Sequence, residues 1–307
     1  MTKKCIGCGL SLQDTKKDEL GYTPDLKNNY CMRCFKLTHY NELINKGVNI
    51  DNAKLIASIN KKKIFVIFLV DFLNIYEEVI DTYKKITCEK ILVITKSDLI
   101  PNNIKTNTLI NNIRDLYDIK EDIVVTSSKE KNNIGVIAKI CKSKKNVLIA
   151  GFTNAGKSSI INKLMDSNIT VSSKLNTTQD FIKISGEDYT IYDAPGFISN
   201  TSVEDNIPSK EVSPITYQMN PKYYLHFLDI NLYFQSDTNI TMYMKKMKID
   251  KLRLKNSVSY DVCIPSNSDL IIKGLGFIKF SKATFVSINI AKDLYEVRPS
   301  IVGGKNE

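Results

Sequence analysis

Residues Asn146 to Asn162 read NVLIAGFTNAGKSSIIN: an apolar run, a turn bounded by glycines, and the opening of a helix. The pattern predicts a buried parallel strand over Asn146–Ala150 and a helix opening at Ser159–Lys163. Between them, Gly-x-x-x-x-Gly-Lys-Ser is the spacing of a phosphate-binding loop. Gly151 and Gly156 let the backbone pass close to phosphate oxygens, so that its N–H groups and the helix N-terminus cradle the anion. Lys157 is expected over the β- and γ-phosphates and the Ser158 hydroxyl on Mg²⁺. Asn154, Ala155 and Ser159 belong to the same nucleotide-binding stretch.

Upstream, Ile64–Val70 followed by Asp71 reads as a fully buried parallel strand, then a helix from about Tyr76 to Lys85, then a second buried strand, Lys90–Ile94. That strand ends at Thr95-Lys96-Ser97-Asp98. In GTP-binding proteins a motif at this place recognises guanine. Asp98 would accept hydrogen bonds from the base's N1–H and exocyclic amine, a donor pair that adenine lacks. Lys96 would lie along the ring and brace the phosphate loop. The usual first residue is Asn; the Thr95 hydroxyl can make part of the same contact. A short strand, Ile123–Thr126, ends in Ser127-Ser128-Lys129, matching the loop whose amide approaches guanine O6, and Gly135–Cys141 reads as a helix.

Downstream come Thr177-Thr178-Gln179-Asp180, strands over Phe181–Ile184 and Thr190–Tyr192, and Asp193-Ala194-Pro195-Gly196. Asp-x-x-Gly senses a γ-phosphate: Asp193 orders a water on Mg²⁺, the Gly196 N–H bonds the phosphate, and Thr178 completes the Mg²⁺ shell. Guanine recognition thus precedes the phosphate loop, the reverse of the usual order. The order is circularly permuted, and the switch leads straight into whatever follows it.

The chain has 307 residues, 43% of them hydrophobic, enough for two or three domains. A net charge of +10 favours a polyanionic partner, nucleic acid or an anionic surface. The longest purely apolar run, Ile64–Val70, is too short to cross a bilayer, and MTKKCIGC has no apolar signal region, so a cytoplasmic protein is expected. Of seven cysteines, four stand as Cys5-x-x-Cys8 and Cys31-x-x-Cys34, twenty-two residues apart, spacing that suits one structural Zn²⁺ held by four thiolates. Cys88, Cys141 and Cys263 read as isolated, buried residues. His39 reads as a surface or partner-facing residue.

The zinc knuckles, YCMRCFKLTHYNE at Tyr30–Glu42, and the permuted motif order together resemble the YqeH family of bacterial ribosome-assembly GTPases. Thr216-Tyr217-Gln218 and SDLIIKGLGFIKF at Ser268–Phe280 also look like that family. The resemblance covers nearly the whole chain. It implies GTP as substrate, GDP and phosphate as products, and a checkpoint in maturation of the small ribosomal subunit. Asn176 stands where the family has Gly, and Tyr224–Asp229 matches loosely.

Hydrolysis needs a substitute for the water-orienting Gln of Ras-like proteins, because Phe197 follows Asp-x-x-Gly. Asn154 occupies the place where K⁺-activated GTPases bind a potassium ion beside the phosphates, and a cation there would stabilise developing charge. Catalysis is therefore expected to rest on Asn154, Lys157, Thr178 and Gly196, with slow intrinsic turnover.

The expected fold is α/β: a permuted P-loop GTPase domain with a parallel-rich sheet (61–200), an N-terminal zinc element with linker helices (1–60, the helices within Asn41–Lys63), and a small β-rich C-terminal domain (201–307) that contacts rRNA. A polar connector spans Ile198–Pro214. The C-terminal strands are expected at Tyr223–Phe227, Leu232–Phe234, Asp269–Ile272, Phe277–Phe280, Thr284–Ile290 and Leu294–Val297, with a helical insertion at Asn239–Leu254. In that insertion Lys245, Lys246, Lys248, Lys251, Arg253 and the adjoining Lys255 face one acid, Asp250; an RNA-backbone contact and a solvated helix face both fit. Arg33, Lys36 and Tyr40 raise the same choice. Two functions of different class remain: a GTP hydrolase cycling on a pre-ribosomal particle, and a GTP-gated scaffold that recruits a protein. An ATPase is opposed by Asp98. Oligomeric state is not legible.

Overall fold

A computed structural model of the chain describes residues 3, 5, 11–15, 21–32, 51–100, 104–130, 132–165, 174–175, 181–199, 201–203 and 214–303. It divides into two compact units. One comprises Met1–Leu69, Tyr83–Thr95 and Thr126–Ile198, the other Val70–Thr82, Lys96–Val125 and Ser199–Glu307. In chain order the first elements are α1 (Asn52–Lys62), β1 (Phe65–Asp71), α2 (Glu77–Lys84), β2 (Lys90–Thr95), α3 (Thr106–Tyr117), β3 (Ile123–Val125), α4 (Ile134–Lys144), β4 (Asn146–Gly151) and α5 (Lys157–Met165). Then come β5 (Lys174–Leu175), β6 (Ile182–Ser185) and β7 (Thr190–Asp193).

In the first unit the strands lie in the order β2-β1-β4-β7-β6-β5. β4 pairs in parallel with β1 and with β7, whereas β6 runs antiparallel to β7. β1 and β2 are buried along their whole length, which is why they read as unbroken apolar runs rather than alternating ones. α1 opens on Asp51, whose carboxylate accepts the Ala53 and Lys54 amides, a side-chain cap at the helix start. Lys90 is buried because its ammonium reaches the carbonyls of Tyr83 and Ile86, at and just beyond the end of α2, where a cation is favoured. Because β1, β4 and β7 are parallel, the phosphate loop and Asp193 both leave the carboxyl edge of the sheet, the place where open α/β sheets bind ligands.

The second unit holds the β-rich domain: β8 (Ile215–Met219), β9 (Tyr223–Phe227), β10 (Ile230–Phe234), β11 (Thr238–Met244), β12 (Asp250–Arg253), β13 (Val262–Ile264), β14 (Ser268–Ile272), β15 (Gly276–Phe280), β16 (Thr284–Ile288) and β17 (Tyr295–Pro299). They form two five-stranded sheets, β12-β9-β10-β16-β13 and β17-β14-β15-β11-β8. Leu225, Phe227, Leu232, Phe234, Met242, Ile278, Phe280 and Val286 form one core drawn from both.

The helical insertion expected over Asn239–Leu254 is absent. Thr238–Met244 is a strand paired with β8 and β15, and Asp250–Arg253 is an edge strand on β9. Ile240 and Met242 are buried while Asn239 is exposed, a period of two that the adjoining lysine run obscured. Cys263 departs from expectation as well: it is exposed, and Cys88 is only half-buried, whereas Cys141 is buried. The helix α3 was not anticipated. Residues 41–50 and 204–213 lie outside those described, so the upstream part of the linker helices and most of the polar connector do too.

One buried ion pair organises the second unit. Arg298 on β17 donates through Nε to Asp269 Oδ2 at 3.3 Å, and both side chains are almost wholly buried. Its Nη1 reaches the Ile75 carbonyl and the Tyr117 hydroxyl, and Phe277 lies under the guanidinium. Burial pushes the Asp269 carboxyl up against the opposing pull of Arg298. Removing one partner strands a buried charge, whereas removing both does not. Arg298→Met is therefore expected to cost about 3 kcal/mol in denaturant unfolding, with Asp269→Leu/Arg298→Met recovering most of it. A single-variant loss below about 1 kcal/mol would show that the pair exerts no such constraint.

Candidate functional site

The loop between β4 and α5 takes a path that only glycine permits at its first residue. Gly151 has φ +151°, and a Cβ there would lie 2.4 Å from the Leu69 carbonyl oxygen. The loop then turns through Asn154, at φ +64°, whose side chain is exposed and makes no hydrogen bond to another described residue. Ala155 is buried, and its carbonyl accepts the Thr95 hydroxyl at 2.9 Å. Gly156 faces the same threonine, whose side chain would lie 3.6 Å from a Cβ. The residue that departs from the usual Asn thus reaches the phosphate loop through its hydroxyl.

Lys157 is nearly buried, with Nζ 3.1 Å from the Gly151 carbonyl and 3.3 Å from that of Phe152. Burial lowers its pKa, and the Asp193 carboxylate pulls it back up. Asp193, at the end of β7, shows the complement: burial pushes its carboxyl up to about 6 against the pull of Lys157. Its Oδ1 is buried with no hydrogen-bond partner among the described residues. A buried carboxylate oxygen without a donor is what a metal-bound water would satisfy. This atom therefore fits Mg²⁺, which a GTPase domain requires. Ser158 and Ser159 stand half-buried at the start of α5.

After Asp193 the chain is stitched to the phosphate loop. The Ala194 amide donates to Ile149, the Phe197 amide to Gly151, and the Thr153 amide to Phe197. Gly196 lies so close that a Cβ would come within 3.0 Å of both Lys157 Nζ and Thr153 Cγ2. Phe197 is fully buried against Phe68 and Phe152. Its ring is core, which removes it as a water-orienting group.

On the guanine side, β3 runs into Thr126, whose amide donates to Ile94 at the end of β2. Ser127 is buried and its hydroxyl accepts the Glu130 amide, while Ser128 is half-buried and Lys129 exposed. In the second unit, Ser97–Leu99 form a short 3-10 turn containing Asp98, and Lys96 precedes it with φ 60° and ψ 39°. Lys96 Nζ pairs with Asp71 Oδ2 at 2.6 Å. Asp71 is the contact that sequence reasoning did not find. Its only signal is an acid closing an otherwise apolar strand.

At the N-terminus Cys5 and Cys31 are both buried, and the Cys31 amide donates to Cys5 Sγ at 3.1 Å. Cys8, Cys34 and His39 lie outside the described residues, as do Arg33, Lys36, Tyr40 and Thr178. No group of three potential metal ligands occurs among the described residues.

A family described as 50S ribosome-binding GTPase matches residues 146–257. The uncharacterized protein YqeH of Bacillus subtilis (strain 168) is 29% identical over 255 residues, a match covering 73% of this chain and 69% of that one. Against the crystal structure of YjeQ from Thermotoga maritima the identity is 24% and the TM-score 0.35; the match covers 45% of this chain and spans about half, 51%, of that one. The phosphate-loop spacing, the Thr95–Asp98 motif before it and the Asp-x-x-Gly motif after it agree with those sequence matches: the chain carries a GTPase domain and is similar over most of its length to YqeH.

Proposed function

We propose that this GTPase is a nucleotide-timed assembly factor for the small ribosomal subunit and touches rRNA through its β-rich domain. The observation that carries the reading is the basic edge of that domain. Lys246, Lys248, Lys251, Arg253 and Lys255 are all exposed on β12 and its flanks, one short edge where a phosphate backbone would find closely spaced cations. The matching family is described as 50S ribosome-binding GTPase, which supports a ribosomal partner but names the large subunit rather than the small one. Edge lysines also guard against strand-to-strand aggregation, so the test must separate specific from generic binding. Within the described residues no helix is long and apolar enough to cross a membrane.

The residues proposed for the nucleotide are Thr95, Lys96, Asp98 and Ser127–Lys129 for guanine, and Gly151 with Asn154–Ser159 for the phosphates. Thr178, Asp193 and Gly196 serve the switch. Ser158 and Thr178, with Asp193 through water, would hold Mg²⁺, which would neutralise charge on the phosphates. Lys157 leaves its carbonyl partners for the phosphate oxygens, and the Gly196 amide reports the γ-phosphate to the chain beyond it. Domain limits at 60 and 200 follow from this assignment.

Two metals belong to the same proposal. The amide-to-sulfur bond between Cys31 and Cys5 brings the two knuckles together, which supports one Zn²⁺ site that Cys8 and Cys34 would complete. Metal analysis of the purified protein is expected to find one zinc per chain, falling below half in Cys5→Ser; full-length protein with no zinc would end the idea. Asn154, exposed and with no side-chain hydrogen bond to another described residue, supports a K⁺ site beside the phosphates. Turnover is expected to be at least roughly tenfold faster in K⁺ than in Na⁺, with Asn154→Ala abolishing the difference. Equal rates in the two salts would remove Asn154 from catalysis.

The ribosome reading is tested by co-sedimentation with purified small subunits in K⁺ buffer, with a non-hydrolysable GTP analogue, GDP or no nucleotide. Binding favoured by the analogue and weakened by charge reversal at Lys248, Lys251 and Arg253 is expected. Binding that depends on salt but ignores nucleotide would mean generic RNA affinity. No binding in any state would favour the scaffold that recruits a protein.

A further inference from the structure

The second unit joins the guanine motif to the β-rich domain through residues 71–74. Asp71 is buried, with its side chain 5% exposed, and it meets Lys96 Nζ at 2.6 Å. Both carboxylate oxygens are engaged. Oδ1 accepts the Leu73 amide at 3.0 Å, and Oδ2 accepts the Asn74 side-chain amide at 3.2 Å as well as Lys96. Asn74 in turn accepts, through Oδ1, the Gly274 backbone amide at 3.2 Å. Gly274 lies in the turn between β14 and β15 and has φ +89°. Between the two polar contacts, Phe72 is fully buried against Tyr243 and Phe277 of the β-rich domain. The segment is therefore a bracket. An apolar plug anchors it in the β-rich core, an acid at one end holds the motif lysine, and an amide at the other holds the Gly274 turn.

Lys96 needs such a bracket. Its left-handed backbone is unfavourable for a residue with a Cβ, and a lysine stem free to sample its rotamers loses that freedom on being fixed against a ligand. A partly buried ion pair with hydrogen bonds to both oxygens of the acid sets this geometry before the nucleotide arrives, so less is lost on binding. We propose that Asp71 is a positioning residue for base recognition, fixing Lys96 for its place along the guanine ring, and that Asn74 ties this constraint to the Gly274 turn of the β-rich domain. The inference rests on the reading of Lys96 and Asp98 as the guanine-recognition residues. Linkage makes the coupling reciprocal: whatever rigidifies the Gly274 turn tightens guanine nucleotide binding, and bound nucleotide rigidifies the turn.

The test uses the full-length protein with Mg²⁺ and a fluorescent N-methylanthraniloyl-GDP probe, displaced by GDP or by inorganic pyrophosphate, which has no base. Asp71→Asn keeps an oxygen to accept the Leu73 amide, so the turn persists. It is expected to weaken GDP about tenfold, the scale of a lost charged hydrogen bond, and pyrophosphate by less than about twofold. Lys96→Ala should weaken GDP at least as much, and adding Asp71→Asn to it should cause no further loss, because the two side chains act as one unit. Asn74→Ala, which leaves the ion pair in place, should weaken GDP about threefold. The proposal is overturned if Asp71→Asn binds GDP like the wild type while Lys96→Ala does not, or if GDP and pyrophosphate weaken together, the mark of a general structural role. Normal GDP binding by both Lys96→Ala and Asp98→Asn would instead overturn the guanine-site assignment, and the role of Asp71 with it.

Discussion

The close approach of Gly151 to the Leu69 carbonyl sets the register on which the nucleotide-facing edge depends. Leu69 and Gly151 are partners in the parallel β1–β4 ladder, and a Cβ at Gly151 would push them apart. From that position the Gly151 carbonyl accepts both the Lys157 ammonium and the Phe197 amide. One backbone oxygen thus gathers the Lys157 ammonium and the segment that follows Gly196. Displacing the strand by one residue would turn each side chain to the opposite face of the sheet and dissolve the arrangement.

The same edge concentrates buried charge. Lys157 and Asp193 lie in a medium that disfavours both ions, and each partly offsets the other's loss of water. Proteins place such groups where a ligand will complete their solvation. Phe197 packs against both Phe68 and Phe152 next to the phosphate loop. The aromatic residue after Asp-x-x-Gly, which looks like a missing catalytic group in the sequence, is a packing element that holds the switch segment against the loop.

Most of the nucleotide half is legible in the sequence because its signals are local. A buried parallel strand is an apolar run, and a phosphate loop is a fixed spacing of glycines with Lys and Ser. The β-rich half is less legible. Burial alternates from Thr238 to Met242, yet the pattern merges with the lysines that follow, and a charged amphipathic stretch reads as a helix. Arg298 and Asp269 meet across twenty-nine residues, and no spacing rule reports a pair whose partners come from separate strands. Asp71 is hidden for a similar reason. Its meaning lies in Lys96, twenty-five residues on, which reads on its own as a motif residue already explained.

Two sets of contacts, one from the β-rich domain and one from the segment that enters it, converge on residues 71–78. The first is the bracket that holds Lys96. The second is the exit of the switch, where Ser199 donates to Glu78 at 2.7 Å and accepts from the Tyr76 hydroxyl, and Thr201 donates to the same Glu78 oxygen. Lys273, next to Gly274, donates to Thr201 and lies over the Tyr76 ring. In an unpermuted order the switch would lead on toward the guanine motif within one domain. Here the chain leaving the switch enters a new domain, and the contacts of Ser199 and Thr201 fall on the stretch whose other end pairs with Lys96.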